Sequence, residues 1–163
     1  MIFINTLAII FILWLLFMVV IPFIIFPNYL FKPKIIKTDF MGTIVDTLNN
    51  TERQKTLENI WGYIVDKHYG FVEQGFIKKM ILSPNLFKNK IENIDKSIIL
   101  FCHTQNLYIK TLLVNSSQFD DADIKIKWVI SKNFIIHQYL LLSFDDKKIK
   151  IDPFFKICEV IYS

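Results

Sequence analysis

FIIHQYLLLSFDDKKIKID, residues 134–152, decides the fold. Phe134 to Phe144 is a strand-length run of β-branched, aromatic and aliphatic residues. Asp145-Asp146 is a turn signal, and Lys147 to Asp152 is the return strand. A two-residue turn pairs Phe144 with Lys147, Leu142 with Ile149 and Leu140 with Ile151. Side chains alternate along a strand, so Ile136, Leu140, Leu142, Phe144, Ile149 and Ile151 share one almost wholly apolar face, the core side. The same register sets Asp152 opposite Tyr139, on the other face, diagonal to His137. Diagonal neighbours lie about 7–8 Å apart at the backbone, a gap that long side chains bridge. The hairpin therefore separates a packing face from a face that carries polar chemistry.

Upstream, Ile124, Ile126, Trp128 and Ile130 alternate with Lys125 and Lys127, which predicts a half-buried strand. Ser116 to Asp123 reads as a loop. A helix is predicted from Cys102 to about Val114, with Leu107, Leu112 and Leu113 facing a core. Another opens at Thr51, where Thr51-Glu52-Arg53-Gln54 fits a capping box. Leu57, Ile60, Trp61, Ile64 and Val65 form its apolar face, His68 continues that face, and Gly70 is the stop. Between these helices, Phe76, Ile77, Met80 and Ile81 suggest a short helix flanked by Gly75 and Pro84, followed by a lysine- and asparagine-rich loop. Helices first and an antiparallel sheet second make an α+β domain.

The N-terminus reads differently. Met1 to Phe31 carry no charge, and Leu7 to Phe26 are apolar apart from Pro22, near the end of the run. A helix of that length matches a hydrocarbon core of roughly 30 Å. A cleavable signal peptide is the rival reading, but it calls for a basic start and small residues at the cut, whereas Phe23, Ile24, Ile25 and Phe26 follow here. The expectation is an uncleaved, single-pass transmembrane anchor over 1–31, a basic juxtamembrane linker over 32–40 and a soluble domain over 41–163. Lys32, Lys34 and Lys37 are its contacts with lipid headgroups, and they orient the domain towards the cytoplasm.

Those three lysines also account for most of the basicity. They are the only charges before Thr38, so they hold three of the four net positive charges of the 163-residue chain. A domain of net +1 gives no support to nucleic-acid binding. Two cysteines, Cys102 and Cys158, make no disulfide framework. No Cys-x-x-Cys or His-x-x-x-His spacing argues for zinc, and the four glycines form no phosphate loop. Asp120, Asp121 and Asp123 lack the glycine and terminal glutamate of a calcium loop. No cofactor or metal is expected.

Nucleophilic cysteine chemistry needs a thiol at a helix N-terminus, a histidine in hydrogen-bond reach and a third group that orients the imidazole. Cys102 stands where a helix begins, His137 lies within the long strand and Asp152 ends the return strand. His103 is a poor base, because helix neighbours point about 100° apart, and Cys158 has no basic partner nearby in sequence.

Cys102, His137-Gln138-Tyr139 and Asp152-Pro153, with the upstream helix bearing Ile60-Trp61 and Tyr63, resemble the transglutaminase-like superfamily of papain-like cysteine enzymes. The resemblance covers roughly residues 50–155. It implies a small domain with helices packed on an antiparallel sheet. It also implies acyl transfer, in which Cys102 attacks an amide, His137 is base then acid, Asp152 orients His137, and the Cys102 N–H is one oxyanion donor. Gln105, on the first helical turn, is left without a role. The substrate class is protein or peptide, near the bilayer if the anchor holds. Two positions depart from the family pattern: Leu100 stands where a glycine is common, and Tyr139 where a tryptophan is common. Leu100 motivates the alternative, an inactive domain used as a tethered binding or scaffolding module.

Overall fold

A computed structural model describes residues 2–21, 24, 35, 38–68, 91–130 and 136–161. Among them, β1 (Ile124–Ile130), β2 (Ile136–Phe144), β3 (Lys147–Asp152) and β4 (Ile157–Ile161) form one antiparallel sheet in the order β1-β2-β3-β4. The predicted hairpin register is observed: Phe144 pairs with Lys147, Leu142 with Ile149 and Leu140 with Ile151. Asp145 and Asp146 turn the chain with φ of 47° and 60°. Positive φ at both central residues makes the primed turn whose twist matches the flanking strands, and aspartate tolerates it better than most side chains. Arg53 Nη1 donates to Asp145 Oδ1 at 3.1 Å, and its guanidinium lies 5.2 Å from the Phe119 and Phe144 ring centres. That one side chain fastens the hairpin tip to the helical layer.

Among the described residues the helices are α1 (Ile2–Leu15), α2 (Asp39–Leu48), α3 (Arg53–Lys67), α4 (Ile91–Asp95) and α5 (Cys102–Asn115). Leu140, Leu142, Phe144, Ile149 and Ile151 join Met41, Val45, Leu57, Ile60, Ile64, Tyr108, Ile109, Leu112 and Leu113 in one core. The packing face of the hairpin is thus the face expected, except that Ile136 is only half-buried. Burial along β1 fades from Ile124, which is buried, to Ile130, which is exposed, so its alternation does not mark a buried stripe to the end.

Helix α5 is the central element, buried on nearly every side, which no amphipathic stripe in its sequence announces. Even Lys110 is buried, its ammonium donating to the Ile124 carbonyl at 3.1 Å and lying 2.9 Å from Asp121 Oδ1. This pins α5 to the start of β1. Helix α3 begins at Arg53 without the predicted capping box. Asn50 takes that role instead: its side chain accepts from the Glu52 N–H at 3.1 Å, and its own N–H donates to Thr56 Oγ1 at 2.9 Å. Helix α2, read from the sequence as linker and domain start, is capped by Thr38, whose hydroxyl accepts from the Met41 N–H at 3.2 Å.

The expected transmembrane helix is corrected by the structure. Helix α1 holds 14 residues and passes at Leu16–Val20 into a π-helical stretch. Fourteen residues rise roughly 21 Å, short of a core of roughly 30 Å. No helix among the described residues is long and apolar enough to cross a membrane. Pro22, Lys32, Lys34, Lys37, Gly70, the short helix predicted around Phe76–Ile81, most of the loop after it, and Phe134 lie outside the described residues.

Candidate active site

Helix α5 starts at Cys102, as predicted. Phe101, the residue before it, is extended and offers no capping side chain. The positive end of a 14-residue helix therefore lies at the thiol. Cys102 is a free, half-buried cysteine.

His137 sits in β2, opposite Val129, and Asp152 closes β3. Their side chains meet: His137 Nε2 and Asp152 Oδ2 are 2.7 Å apart, both groups buried. Asp152 is itself held, because it caps the short 3₁₀ turn Pro153–Phe155 by accepting from the Phe155 N–H at 3.3 Å. Pro153, at the first position of that turn, has no N–H to compete for the carboxylate. Phe154 and Phe155 then lie against the imidazole, with ring centres 5.5 and 4.6 Å away. The sequence reading passed over this aromatic pair, although its place directly after Asp152-Pro153 is the signal.

The Cys102 thiol lies close enough to His137 to add, with Asp152, to the imidazole's proton affinity. With Nε2 engaged by Asp152, Nδ1 is the nitrogen left for sulfur. Burial alone lowers the imidazole's proton affinity, but the hydrogen bonds to Asp152 and Cys102, and the charges of both, raise it to about 9. The structure thus brings the three residues chosen from sequence to one place, with His137 hydrogen-bonded to Asp152 and Cys102 beside the same imidazole.

The other titratable groups stand apart. His103 is buried and stacked on Phe101 at 5.8 Å, and burial pushes it down to about 4. His68 is also buried and pushed to about 4, although the Ser97 carbonyl lies 2.6 Å from its Nδ1. Cys158 lies half-buried beside the core and is pushed up to about 11 by burial and by Glu58. Gln105 is buried with no partner for Oε1, whereas Asn106 donates from Nδ2 to the Gln138 carbonyl at 2.7 Å.

A second carboxylate lies on the helical side. Asp95 Oδ1 accepts from Tyr63 and Tyr108 hydroxyls at 2.6 Å each and from the Lys67 ammonium at 2.5 Å. Burial would raise its pKa, but those three donors hold it below the usual carboxylate range. The segment that leads into Cys102 starts from this knot.

No family model matches the chain, and no curated protein matches it by sequence. Helices packed on one antiparallel sheet are an arrangement that this chain shares with a solved structure. Among solved structures, Legionella pneumophila LapG, a transglutaminase-like cysteine protease, superposes with a TM-score of 0.53 over 77% of this chain and 70% of its own, at 12% identity. The likeness is one of fold.

Proposed function

We propose that this domain is a thiol enzyme acting on amide bonds of protein or peptide substrates, as peptidase, amidase or transamidase. The observation that carries the reading is the pair of His137 Nε2 and Asp152 Oδ2 at 2.7 Å, with Cys102 beside the same imidazole at the start of α5. In this scheme His137 Nδ1 takes the thiol proton, and Asp152 holds the imidazole through Nε2. The thiolate adds to the substrate carbonyl. The oxyanion develops at the N-terminus of α5, where the Cys102 N–H donates to it. The imidazolium returns its proton to the leaving nitrogen, the C–N bond breaks, and a thioester remains on Cys102. Water or a second amine, deprotonated by His137, attacks the thioester and frees the thiol.

The raised proton affinity of the imidazole, about 9, favours its taking the thiol proton and holding it until the leaving amine departs. The inactive-module alternative rests on Leu100, a substitution that leaves Cys102 half-buried and paired with His137. The test is selective alkylation with iodoacetamide near pH 7. Cys102 should react much faster than Cys158, and His137→Ala should erase the difference. Equal rates in the unaltered protein contradict the reading.

A further inference from the structure

Helix α5 carries the thiol and β2 carries the imidazole, yet Cys102 and His137 belong to separate elements that only tertiary structure can align. One buried side chain joins the two elements beside the site. Asn106 is one helical turn after Cys102 and fully buried. Its Nδ2 donates to the Gln138 carbonyl at 2.7 Å and lies 3.2 Å from Gln138 Oε1. Gln138 is the residue after His137, and it too is buried.

The other half of the amide argues that this contact is not incidental. Asn106 Oδ1 is buried with no hydrogen-bond partner. A buried acceptor without a partner lowers stability, so a leucine of similar shape would suit the packing better. What the asparagine alone provides is the donor aimed at β2. The neighbouring positions do not duplicate it: Thr111 hydrogen-bonds within its own helix, and Lys110 fastens α5 to the opposite end of the sheet, at Ile124.

We infer that Asn106 is a positioning residue, which sets the separation of Cys102 and His137 by fixing the Gln138 carbonyl, one residue beyond His137 on β2, to the helix one turn below the nucleophile. This rests on the Cys102–His137 reading above. A shift of about 1 Å between reacting groups costs up to roughly 100-fold in rate. The clamp acts through the backbone, so it touches neither substrate nor the reacting atoms.

The experiment measures the iodoacetamide rate at Cys102 against pH in the intact protein, in Asn106→Leu and in His137→Ala, with thermal unfolding recorded for each. Asn106→Leu should unfold no earlier than the unaltered protein. Its Cys102 should react roughly 10- to 100-fold more slowly at pH 7, with a pH profile displaced towards that of His137→Ala. A rate and profile unchanged in Asn106→Leu overturn the inference and leave the proposed function intact. A Cys102 no faster than Cys158 in the unaltered protein overturns the proposed function itself. Should Asn106→Leu fail to fold, Asn106→Asp keeps the shape and replaces the donor by an acceptor, and the same displacement is expected. Failure of both to fold assigns Asn106 to the fold alone and also overturns the inference.

Discussion

Among the described residues two aspartates are buried, Asp95 and Asp152, and their partners differ in kind. Asp95 gathers two phenols and an ammonium on one oxygen, and burial with the Asp95 hydrogen bonds raises the pKa of both tyrosines further. None of those donors changes charge near neutral pH, so the cluster is a fixed tie between α3, α4 and α5. Asp152 holds a single imidazole, and that imidazole has a thiol as its second partner. Here a proton has somewhere to go. Burial of a carboxylate does not distinguish structure from chemistry; the titration range of what it holds does.

That contrast can be broken at four points. The largest effect belongs to Asp95→Ala, which strands two hydroxyls and a half-exposed ammonium. It should cost about 3 kcal/mol in urea unfolding, while Cys102 in the folded fraction keeps its fast alkylation. Loss of reactivity without loss of stability would dissolve the distinction between the two carboxylates.

Asp152→Ala should do the reverse. Cys102 alkylation should fall roughly 10- to 100-fold, and the titration of His137 should drop from about 9, because its strongest raising partner is gone. Stability should change less than in Asp95→Ala, as read from the same urea curves.

The pH dependence of stability separates the histidines. His68 and His103 are held near 4 by burial, below their ordinary 6.5. Between those values the unfolded chain binds protons that the folded chain refuses. Stability is therefore full above about pH 6.5 and falls as pH drops through 4, by on the order of 2–4 kcal/mol. His137 has the opposite sign. Its contribution is complete below 6.5 and is lost as pH rises through about 9. Urea midpoints across pH 4–10 check both arms, and His103→Phe, which keeps a ring against Phe101, should make the acid arm shallower, leaving the share of His68, and leave the alkaline arm unchanged. The smallest change is Phe155→Ala. It removes one edge-on ring from His137 and should cost about 1 kcal/mol with little change in alkylation rate.

Much of this was legible beforehand, for definite reasons. The Asp145-Asp146 turn signal, with the apolar residues that a two-residue turn sets on one face, gave away the hairpin register, and the register brought His137 and Asp152 together. The start of α5 at Cys102 followed from helical spacing. What escaped was whatever local pattern does not encode. Helix α5 is buried all round, so Asn106, Lys110 and Tyr108 carried no amphipathic signal. Helix α2 is short and begins from a single threonine cap, and β4 follows a left-handed Lys156 that no turn motif advertised. The N-terminal run failed for another reason: its apolar length was sufficient, but the regular helix gives way at Leu16. Composition reports hydrophobicity, whereas spanning also needs a regular helix of about 20 residues.

The central claim is that Cys102 and Asp152 act together on the imidazole of His137. Carbon-13 NMR of labelled histidine tests it most directly, with His137→Ala assigning the signal among the three histidines. His137 should titrate near 9, and Cys102→Ser should lower that value, because the sulfur's hydrogen bond and charge both contribute to it. A His137 that titrates near 6.5 and ignores Cys102→Ser would contradict the account.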